Sequence, residues 1–362
     1  MSRPGAIVVG SGFGTRVHVP ALRAAGFDVL ALVGQDEAKT ARRAERLEIA
    51  RSFTDYEAAL ALDGVAAVTI ATPPDTHARL AVQAARAGKH VVCEKPFSMG
   101  AGEAFAMVDA VRKAGVVGYV GNEFRWAPDR ATAARAIREG LIGEPRFMSI
   151  VQWVPLVPSV DSKVPPWWFD PAAGGGWLGA SGSHMIDLVR SWLGEYSSVR
   201  ASTTMTSDRD PSEMAEDSFA VQFTLENGVQ GVHQETAASW GSGAGMTRVG
   251  GTQGTLWLEG GEVHVADADG TRTLPIPDDL ALPAPPEVSD DPRHKFTHLE
   301  LGPYTRLCEA LLAAVNGEPW EGAVQPATFA DGLAAMQVLD AIRASAAERG
   351  EMVHVAHRHP LP

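Results

Sequence analysis

The sequence predicts two domains: an α/β domain with a doubly wound parallel sheet over residues 1–121, then an α+β domain with an open, mainly antiparallel sheet over 122–362. Short β-branched runs alternate with alanine-rich amphipathic stretches as far as Val120, which is typical of parallel strands joined by crossover helices. After Tyr119 a proline- and tryptophan-rich segment and a hairpin pattern follow instead. The chain of 362 residues also exceeds the length at which a single core usually divides.

The first domain is predicted to contain five buried strands with helices between them. A capping box over residues 54–57, with Thr54 as the N-cap, opens one helix. Another helix spans residues 76–87 and ends before Gly88. The predicted strands are Ala6–Val9, Val29–Val33, Val65–Ala71, His90–Cys93 and Val116–Val120.

A hairpin is the clearest element of the second domain. Ser218–Leu225 and Val229–Thr236 alternate apolar and polar residues on either side of a tight-turn signal at Asn227-Gly228. The final helix, residues 328–346, is a candidate for packing back on the first domain. The other predicted elements are a helix at 129–139, strands at Arg146–Trp153, Gly254–Glu259 and Val263–Ala266, a surface loop at Pro275–Pro292 and a helix at Pro303–Val315.

Charge and composition favour a small-molecule partner. The formal net charge of −13 would repel nucleic acid and anionic membrane surfaces. Apolar runs stay short of the roughly 18 residues of a membrane span, and Met1–Pro4 leads directly into a strand without an export signal. The two cysteines, Cys93 and Cys308, are far apart and form no disulfide framework, so a cytoplasmic location is expected.

A glycine-rich loop follows the first predicted strand and opens a helix. It reads Gly10-Ser11-Gly12-Phe13-Gly14-Thr15, with Thr15 in place of the usual third glycine. Glycines there allow a tight turn and let the backbone approach a pyrophosphate at the helix N-terminus. The loop therefore predicts dinucleotide binding, and a plain strand-to-helix turn remains the alternative.

The end of the second strand bears on the choice of dinucleotide. An acid there would bind the ribose 2′-hydroxyl of NAD, but this chain has Gly34 and Gln35. Lys39, Arg42 and Arg43 nearby would attract a 2′-phosphate, or they form a solvated helix face. The cofactor is predicted as NADP or NAD, with a slight preference for NADP.

Three segments resemble the Gfo/Idh/MocA oxidoreductase family: Gly10–Gly12, Ala71–His77 and Glu94-Lys95-Pro96. Later matches are Gly140–Pro145, Gly174–Gly176 and Gly182–Asp187. The resemblance implies an N-terminal Rossmann domain and a C-terminal domain whose open sheet is commonly used for oligomerisation. It therefore implies a homo-oligomer, a dimer or tetramer formed through the C-terminal sheet.

The same resemblance implies a catalytic pair. Lys95 would contact both nicotinamide and substrate, and its bond to Pro96 would be cis. His184 would transfer the proton. Ala180 stands where polyol-oxidising members carry an aspartate, and Asp187 either substitutes for it in part or is structural. His77 would lie near a cofactor phosphate. The predicted cofactor-binding residues are Gly10, Gly12, Phe13, Gly14, Thr15, Gly34, Gln35, Thr72, Pro73, His77, Glu94, Lys95 and Asn122.

Aromatic residues suggest the substrate side. Five of the nine tryptophans, Trp126, Trp153, Trp167, Trp168 and Trp177, lie between or beside the two catalytic segments and form either an aromatic wall or domain-interface filling. Arg125 would bind a substrate carboxylate or phosphate, or else pair with Glu123 or another acid. The predicted substrate-binding residues are Arg125, Trp126, Trp168 and Asp187.

These features predict hydride transfer between nicotinamide and a secondary alcohol or ketone of a sugar-like or cyclitol-like molecule. Two alternatives stay open: a catalytically silent dinucleotide-binding regulator, and a glycosidase that uses transient oxidation. No metal is predicted, because the remaining histidines, among them His354, His357 and His359, lack ligand spacing and are interpreted as surface residues.

Overall fold

The computed structural model describes residues 3–288 and 296–357. Their contacts divide them into two compact units. The first contains residues 3–127 and the described part of 282–333, and the second contains 128–281 and 334–357. The division after residue 127 lies close to the predicted boundary at 121, but the described part of residues 282–333 groups with the first unit.

The described part of the first unit forms a six-stranded sheet in which all neighbouring strands are parallel. The strand order is β3-β2-β1-β4-β5-β6, so the direction of strand addition reverses between β1 and β4. The predicted parallel sheet is confirmed, and the short edge strand β3 is an addition. The strands are β1 Gly5–Val9, β2 Asp28–Val33, β3 Arg51–Phe53, β4 Val65–Ile70, β5 His90–Cys93 and β6 Gly118–Val120.

A second sheet of nine strands lies in the described part of the second unit. Its order is β14-β13-β12-β11-β7-β10-β9-β8-β15, and every neighbouring pair is antiparallel except β7 with β10. The mainly antiparallel sheet is therefore confirmed. Its strands are β7 Pro145–Trp153, β8 Tyr196–Thr204, β9 Ser218–Leu225, β10 Gln230–Thr236, β11 Ala244–Gly251, β12 Gly254–Glu259, β13 Glu262–Asp267, β14 Gly270–Leu274 and β15 Val353–His354.

Helices connect these strands. Helix α9 belongs to both units, since its first residues group with the first and the rest with the second. Among the described residues, no helix is both long and apolar enough to cross a bilayer. The helices are α1 Val19–Ala25, α2 Glu37–Arg46, α3 Tyr56–Leu60, α4 His77–Arg86, α5 Ala101–Ala114, α6 Pro128–Arg138, α7 Ser183–Leu193, α8 Thr297–Val315 and α9 Phe329–Ala347.

Capping at α3 differs from the prediction by one residue. The helix begins at Tyr56, and the Asp55 carboxylate accepts hydrogen bonds from the backbone N–H groups of Glu57 at 2.9 Å and Ala58 at 3.1 Å. Asp55 is therefore the N-cap, and the assignment of Thr54 was wrong. An aspartate oxygen reaches the exposed N–H groups of a first turn as readily as a threonine hydroxyl.

Helix α8 begins six residues before its predicted start at Pro303, which lies inside the helix. A proline there removes one helical hydrogen bond. Packing stabilises the added turns, because Leu301 lies against the core of the first unit, and Tyr304 and Leu307 are buried in it beside Leu22. This packing of α8 on α1 completes the first core.

The predicted surface loop before α8 is only partly described. Over residues 275–288 it holds one short helical turn, Asp278–Leu280, in which Leu280 is buried and Asp279 pairs with Arg135. Residues 289–292 of the prediction lie outside the described residues. Residues 275–281 are therefore attached to the second unit, whereas residues 282–288 group with the first.

Candidate active site

Four chain segments meet at the carboxyl edge of the parallel sheet, because parallel strands end on the same side. They are the glycine loop after β1, residues 71–77 after β4, Glu94 and Lys95 after β5, and residues 121–123 after β6. The strand order reverses between β1 and β4, and ligands of doubly wound sheets bind at such a point.

The first two glycines of the loop differ in what surrounds them. Gly10 has φ +110°, and a Cβ there would lie 2.1 Å from the carbonyl oxygen of Ala71. At Gly12 a Cβ would meet no atom within 4 Å. Gly10 is thus required by the protein's own backbone, whereas Gly12 opens a space for a group from outside. A dinucleotide pyrophosphate fits this arrangement.

Helix–strand packing depends on Gly14 rather than on the residue at position 15. A Cβ at Gly14 would lie 2.8 Å from Val8 Cγ1, so this glycine makes the close contact. The hydroxyl of Thr15 donates to the carbonyl oxygens of Ser11 at 3.1 Å and Gly12 at 2.9 Å. The threonine therefore stabilises the loop through hydrogen bonds that a glycine at this position could not make.

Close packing explains why the end of β2, where an acid would bind the ribose of NAD, has a glycine instead. A Cβ at Gly34 would lie 2.3 Å from Thr40 Oγ1 on α2, and Gln35 is exposed. Of the three bases predicted nearby, Arg43 reaches the glycine loop. Its guanidinium donates to the Ser11 carbonyl and to the Ser11 hydroxyl, the latter at 2.8 Å.

His77 connects two of the site's segments. Its ring is fully buried, with Nδ1 3.1 Å from the Pro96 carbonyl oxygen and Nε2 2.9 Å from that of Thr72. Burial lowers the pKa of His77, and the two carbonyl contacts act against this. Both ring nitrogens are therefore engaged within the protein and not, as had been predicted, with a phosphate. His77 instead links the half-buried residues Thr72 and Pro73 to the turn after Lys95.

Glu94 holds the backbone of Lys95. Its Oε1 lies 3.1 Å from His18 Nε2, and its Oε2 accepts a hydrogen bond from the Lys95 backbone N–H at 3.3 Å. The bond from Lys95 to Pro96 is cis, as the resemblance implied. A Cβ at Gly121 would lie 2.4 Å from Glu94 Oε1, so that glycine makes room for the carboxylate.

A ring stack from the far end of the sequence supports this glutamate. His18 stacks on Tyr304 of α8 with ring centroids 4.4 Å apart, and Phe13 meets His18 edge-on at 5.3 Å. Phe13, predicted to bind cofactor, thus packs on the ring that contacts Glu94.

Two more acids belong to the site and were missed in the sequence. Burial raises the pKa of Glu123 well above its ordinary value, and burial raises that of Glu300 to about 7. The charge of Lys95 lowers both values, which places both carboxyl groups in its surroundings. Glu300 lies in the first turn of α8, between the predicted loop and the predicted start of the helix, where the sequence analysis assigned no element.

The residues after β6 divide between the site and the core. Asn122 is buried, and its Oδ1 has no hydrogen-bond partner among the described residues, so it can accept one from a ligand. Arg125 instead pairs with Asp331 at 3.5 Å, the alternative raised for it, and Trp126 is 5 % exposed within the core of the first unit. The prediction that Trp126 binds substrate was therefore wrong.

In the second unit, the predicted proton-transferring residue lies on a buried helix. His184 and Asp187 are both buried on α7, one turn apart. Ala180 lies in the helical turn before α7, and its N–H donates to the Gly176 carbonyl at 3.0 Å.

The predicted aromatic wall is reduced to three tryptophans of the second unit. Trp168 lies between Trp167 and Trp177, with centroid distances of 6.1 and 6.2 Å. Trp153 is exposed on β7. A close backbone approach accompanies this cluster of Trp167, Trp168 and Trp177. A Cβ at Gly175 would lie 2.5 Å from the Trp168 carbonyl oxygen, so only glycine fits there.

Among the described residues, no group of three or more histidine, cysteine, aspartate or glutamate side chains is arranged to hold a metal. His354 is exposed on β15, whereas His357 Nε2 lies 2.7 Å from the Tyr196 carbonyl oxygen. His359 lies outside the described residues. That the protein uses no metal stays a prediction.

Comparisons with known proteins agree with this geometry. Residues 5–122 match the oxidoreductase family with an NAD-binding Rossmann fold, and residues 131–257 match the GFO/IDH/MocA C-terminal domain. D-apiose dehydrogenase of Paraburkholderia graminis is 29% identical over 78% of this chain and 73% of its own. Levoglucosan dehydrogenase of Pseudarthrobacter phenanthrenivorans is 37% identical over 44% and 41%. A solved levoglucosan dehydrogenase in complex with NADH and L-sorbose has a TM-score of 0.83 and 25% identity, over 98% of this chain and 99% of that one. Two models of one family thus match consecutive parts of the chain, which belongs to the Gfo/Idh/MocA family of NAD-binding oxidoreductases.

Proposed function

We propose that the protein is an NAD(P)-dependent dehydrogenase or reductase acting on a secondary alcohol or ketone of a sugar-like or cyclitol-like molecule. The observation that carries the proposal is that the open glycine loop and Lys95, held by Glu94, meet at one edge of the parallel sheet. Two relatives named for levoglucosan and D-apiose, both carbohydrates, support the substrate class.

The roles follow from the chemistry of the side chains. The glycine loop would hold the pyrophosphate of a bound dinucleotide, and Asn122 Oδ1 would accept a hydrogen bond from it. A bound nicotinamide supplies the position that accepts or donates a hydride. Lys95 donates a hydrogen bond to the reacting oxygen, and His184 exchanges its proton, because imidazole titrates near neutral pH.

The dinucleotide in this proposal is NADP in preference to NAD. Neither Gly34 nor Gln35 carries a carboxylate to repel a 2′-phosphate, and Arg43 lies at the glycine loop. Titration of protein fluorescence with NADPH and NADH decides this, and a lower Kd for NADH would contradict the preference.

Lys95→Met tests the catalytic assignment. We expect it to abolish turnover while the Kd for NADH stays within about threefold, because the lysine acts on the reacting oxygen. Lys89→Met is the matched control: Lys89 precedes β5 at the opposite end of the strand, and its Nζ donates to the Val65 carbonyl at 2.8 Å.

Levoglucosan, D-apiose, cyclitols and keto-sugars form the substrate panel. Full activity of Lys95→Met, or no binding of either dinucleotide, would contradict the proposal. Release of a hydrolysis product with no change in NADH absorbance would favour the glycosidase alternative.

A homo-oligomer formed through the nine-stranded sheet is part of the proposal. The adjacent strands β7, β10 and β11 carry exposed apolar side chains, among them Phe147, which is 52% exposed, with Val232 and Met246. Apolar patches of this kind mark association surfaces. Sedimentation velocity should show Phe147→Glu as a smaller species than wild type, whereas Thr271→Glu on β14 should not change. A monomeric wild type would contradict this part.

A further inference from the structure

Lys95 lies among acidic side chains from three separate parts of the first unit. Glu94 precedes it after β5, Glu123 follows β6, and Glu300 lies in the first turn of α8. Helix α8 packs against the Glu123–Trp126 turn and against β5, and the charge of Lys95, which follows β5, acts on Glu300. One ammonium group is thus shared by carboxyl groups that are far apart in the sequence.

The three acids differ in their hydrogen bonds. Both carboxylate oxygens of Glu94 are engaged, with His18 and with the Lys95 backbone. In Glu123 and in Glu300, by contrast, Oε2 is buried with no hydrogen-bond partner among the described residues. A buried, unpaired carboxylate oxygen is costly, so such a group either holds a proton or meets a ligand.

Burial is the main cause of the raised pKa of Glu123 and of Glu300, and the charge of Glu94 adds to it. Lys95 lowers the pKa of both acids, Arg16 lowers that of Glu300, and the two acids are themselves neighbours. Glu123 is only 2% exposed, and burial raises its pKa well above its ordinary value. Glu300 is partly exposed, and its pKa of about 7 lets it gain and lose a proton there.

We propose that Glu300 is a positioning residue that exchanges a proton with Lys95, which rests on the proposed function. In reduction the Lys95 ammonium gives a proton to the carbonyl oxygen of the substrate, and protonated Glu300 gives its proton to the Lys95 amine that is left. Water then protonates Glu300 again. A bound reduced nicotinamide would supply the hydride to the carbonyl carbon, so the ketone gains one proton and one hydride and becomes an alcohol. In this path Lys95 delivers the proton in place of His184, and the acid missing at Ala180 is not used.

The first test follows Lys95 in the full chain without cofactor. The chain has six lysines, so the ¹⁵N resonance of Lys95 Nζ is assigned by its loss in Lys95→Arg and followed from about pH 5 to about pH 10. We expect a step near pH 7 in wild type that disappears in Glu300→Gln. Glu309→Gln is the matched control on the same helix, because Glu309 pairs with Arg306 at 2.9 Å, and it should keep the step.

The second test uses turnover. Because only protonated Glu300 can give a proton, kcat for reduction should fall as the pH rises through about 7 in wild type. In Glu300→Gln this pH dependence should disappear and kcat at neutral pH should be at least roughly tenfold lower, with KM and the Kd for NADH changed by less than about threefold. Glu300→Asp should restore part of the pH dependence, which separates proton exchange from a purely structural role.

An unchanged Lys95 step in Glu300→Gln, or a wild-type kcat profile in that variant, overturns the proposal. If no substrate of the panel is turned over, the proposed function fails. The Lys95 resonance still decides whether Glu300 titrates beside Lys95.

Discussion

Replacing Gly10 by alanine should reduce the stability of the fold, whereas replacing Gly12 by alanine should weaken cofactor binding. At Gly10 the new Cβ would lie 2.1 Å from the Ala71 carbonyl oxygen and 2.6 Å from its carbon, at φ +110°. Left-handed backbone costs alanine about 1–2 kcal/mol, and forced repacking adds about 1–3 kcal/mol. We expect a loss of about 3 kcal/mol, which lowers the Tm of this unit by roughly 6–12 °C.

Gly12→Ala is the matched control, because its Cβ would meet no atom within 4 Å. Its Tm without ligand should equal that of wild type, while the Kd for NADH rises about tenfold or more because the methyl group occupies the pyrophosphate's path. Differential scanning fluorimetry and NADH titration measure the two effects. A stable Gly10→Ala, or Gly12→Ala with unchanged NADH affinity, would refute the assignment of these two glycines.

Three further predictions follow from contacts around the site. Arg43→Ala should raise the Kd for NADPH about tenfold and that for NADH by less, because the guanidinium lies at Ser11; equal losses in both titrations would exclude a 2′-phosphate role. Burial lowers the pKa of His77, so the stability due to this group is complete above about pH 6.5 and is lost as the pH falls further. His77→Gln should therefore flatten the fall in Tm between about pH 6.5 and pH 5, and an unaltered slope would contradict this origin. Gly121→Ala would place Cβ 2.4 Å from Glu94 Oε1, so kcat should fall about tenfold with NADH binding retained; wild-type turnover would show that Glu94 can move freely.

The sequence predicted those parts of the fold that depend on residues close together in the chain, such as turns and strands with regular apolar alternation. The β9–β10 hairpin was found because Asn227-Gly228 fits a tight turn between alternating strands, and Gly228 has φ +85°. The edge strand β3 has only three residues, none of them buried, and β11 ends in two glycines, so neither carries enough apolar alternation to be recognised.

The site was predictable only where it is built from short contiguous motifs. The glycine loop and Glu94-Lys95-Pro96 each occupy one strand-to-turn segment. Glu300 and Tyr304 reach the same place because α8 packs on α1, and no local pattern specifies a contact over such a distance along the chain. Trp126 was assigned to the substrate because an aromatic side chain suits a pocket wall as well as a core, and only the packing distinguishes the two.

The placement of α8 also governs how this protein is made. A ribosome releases residues 3–127 long before α8, so the dinucleotide-binding unit must wait with the core surface of Leu22 and Phe27 uncovered while strands β7 to β14 are synthesised. A chimera that exchanges the second unit must for the same reason carry α8 along with the N-terminal part. Otherwise it loses the helix that delivers both Tyr304 and Glu300.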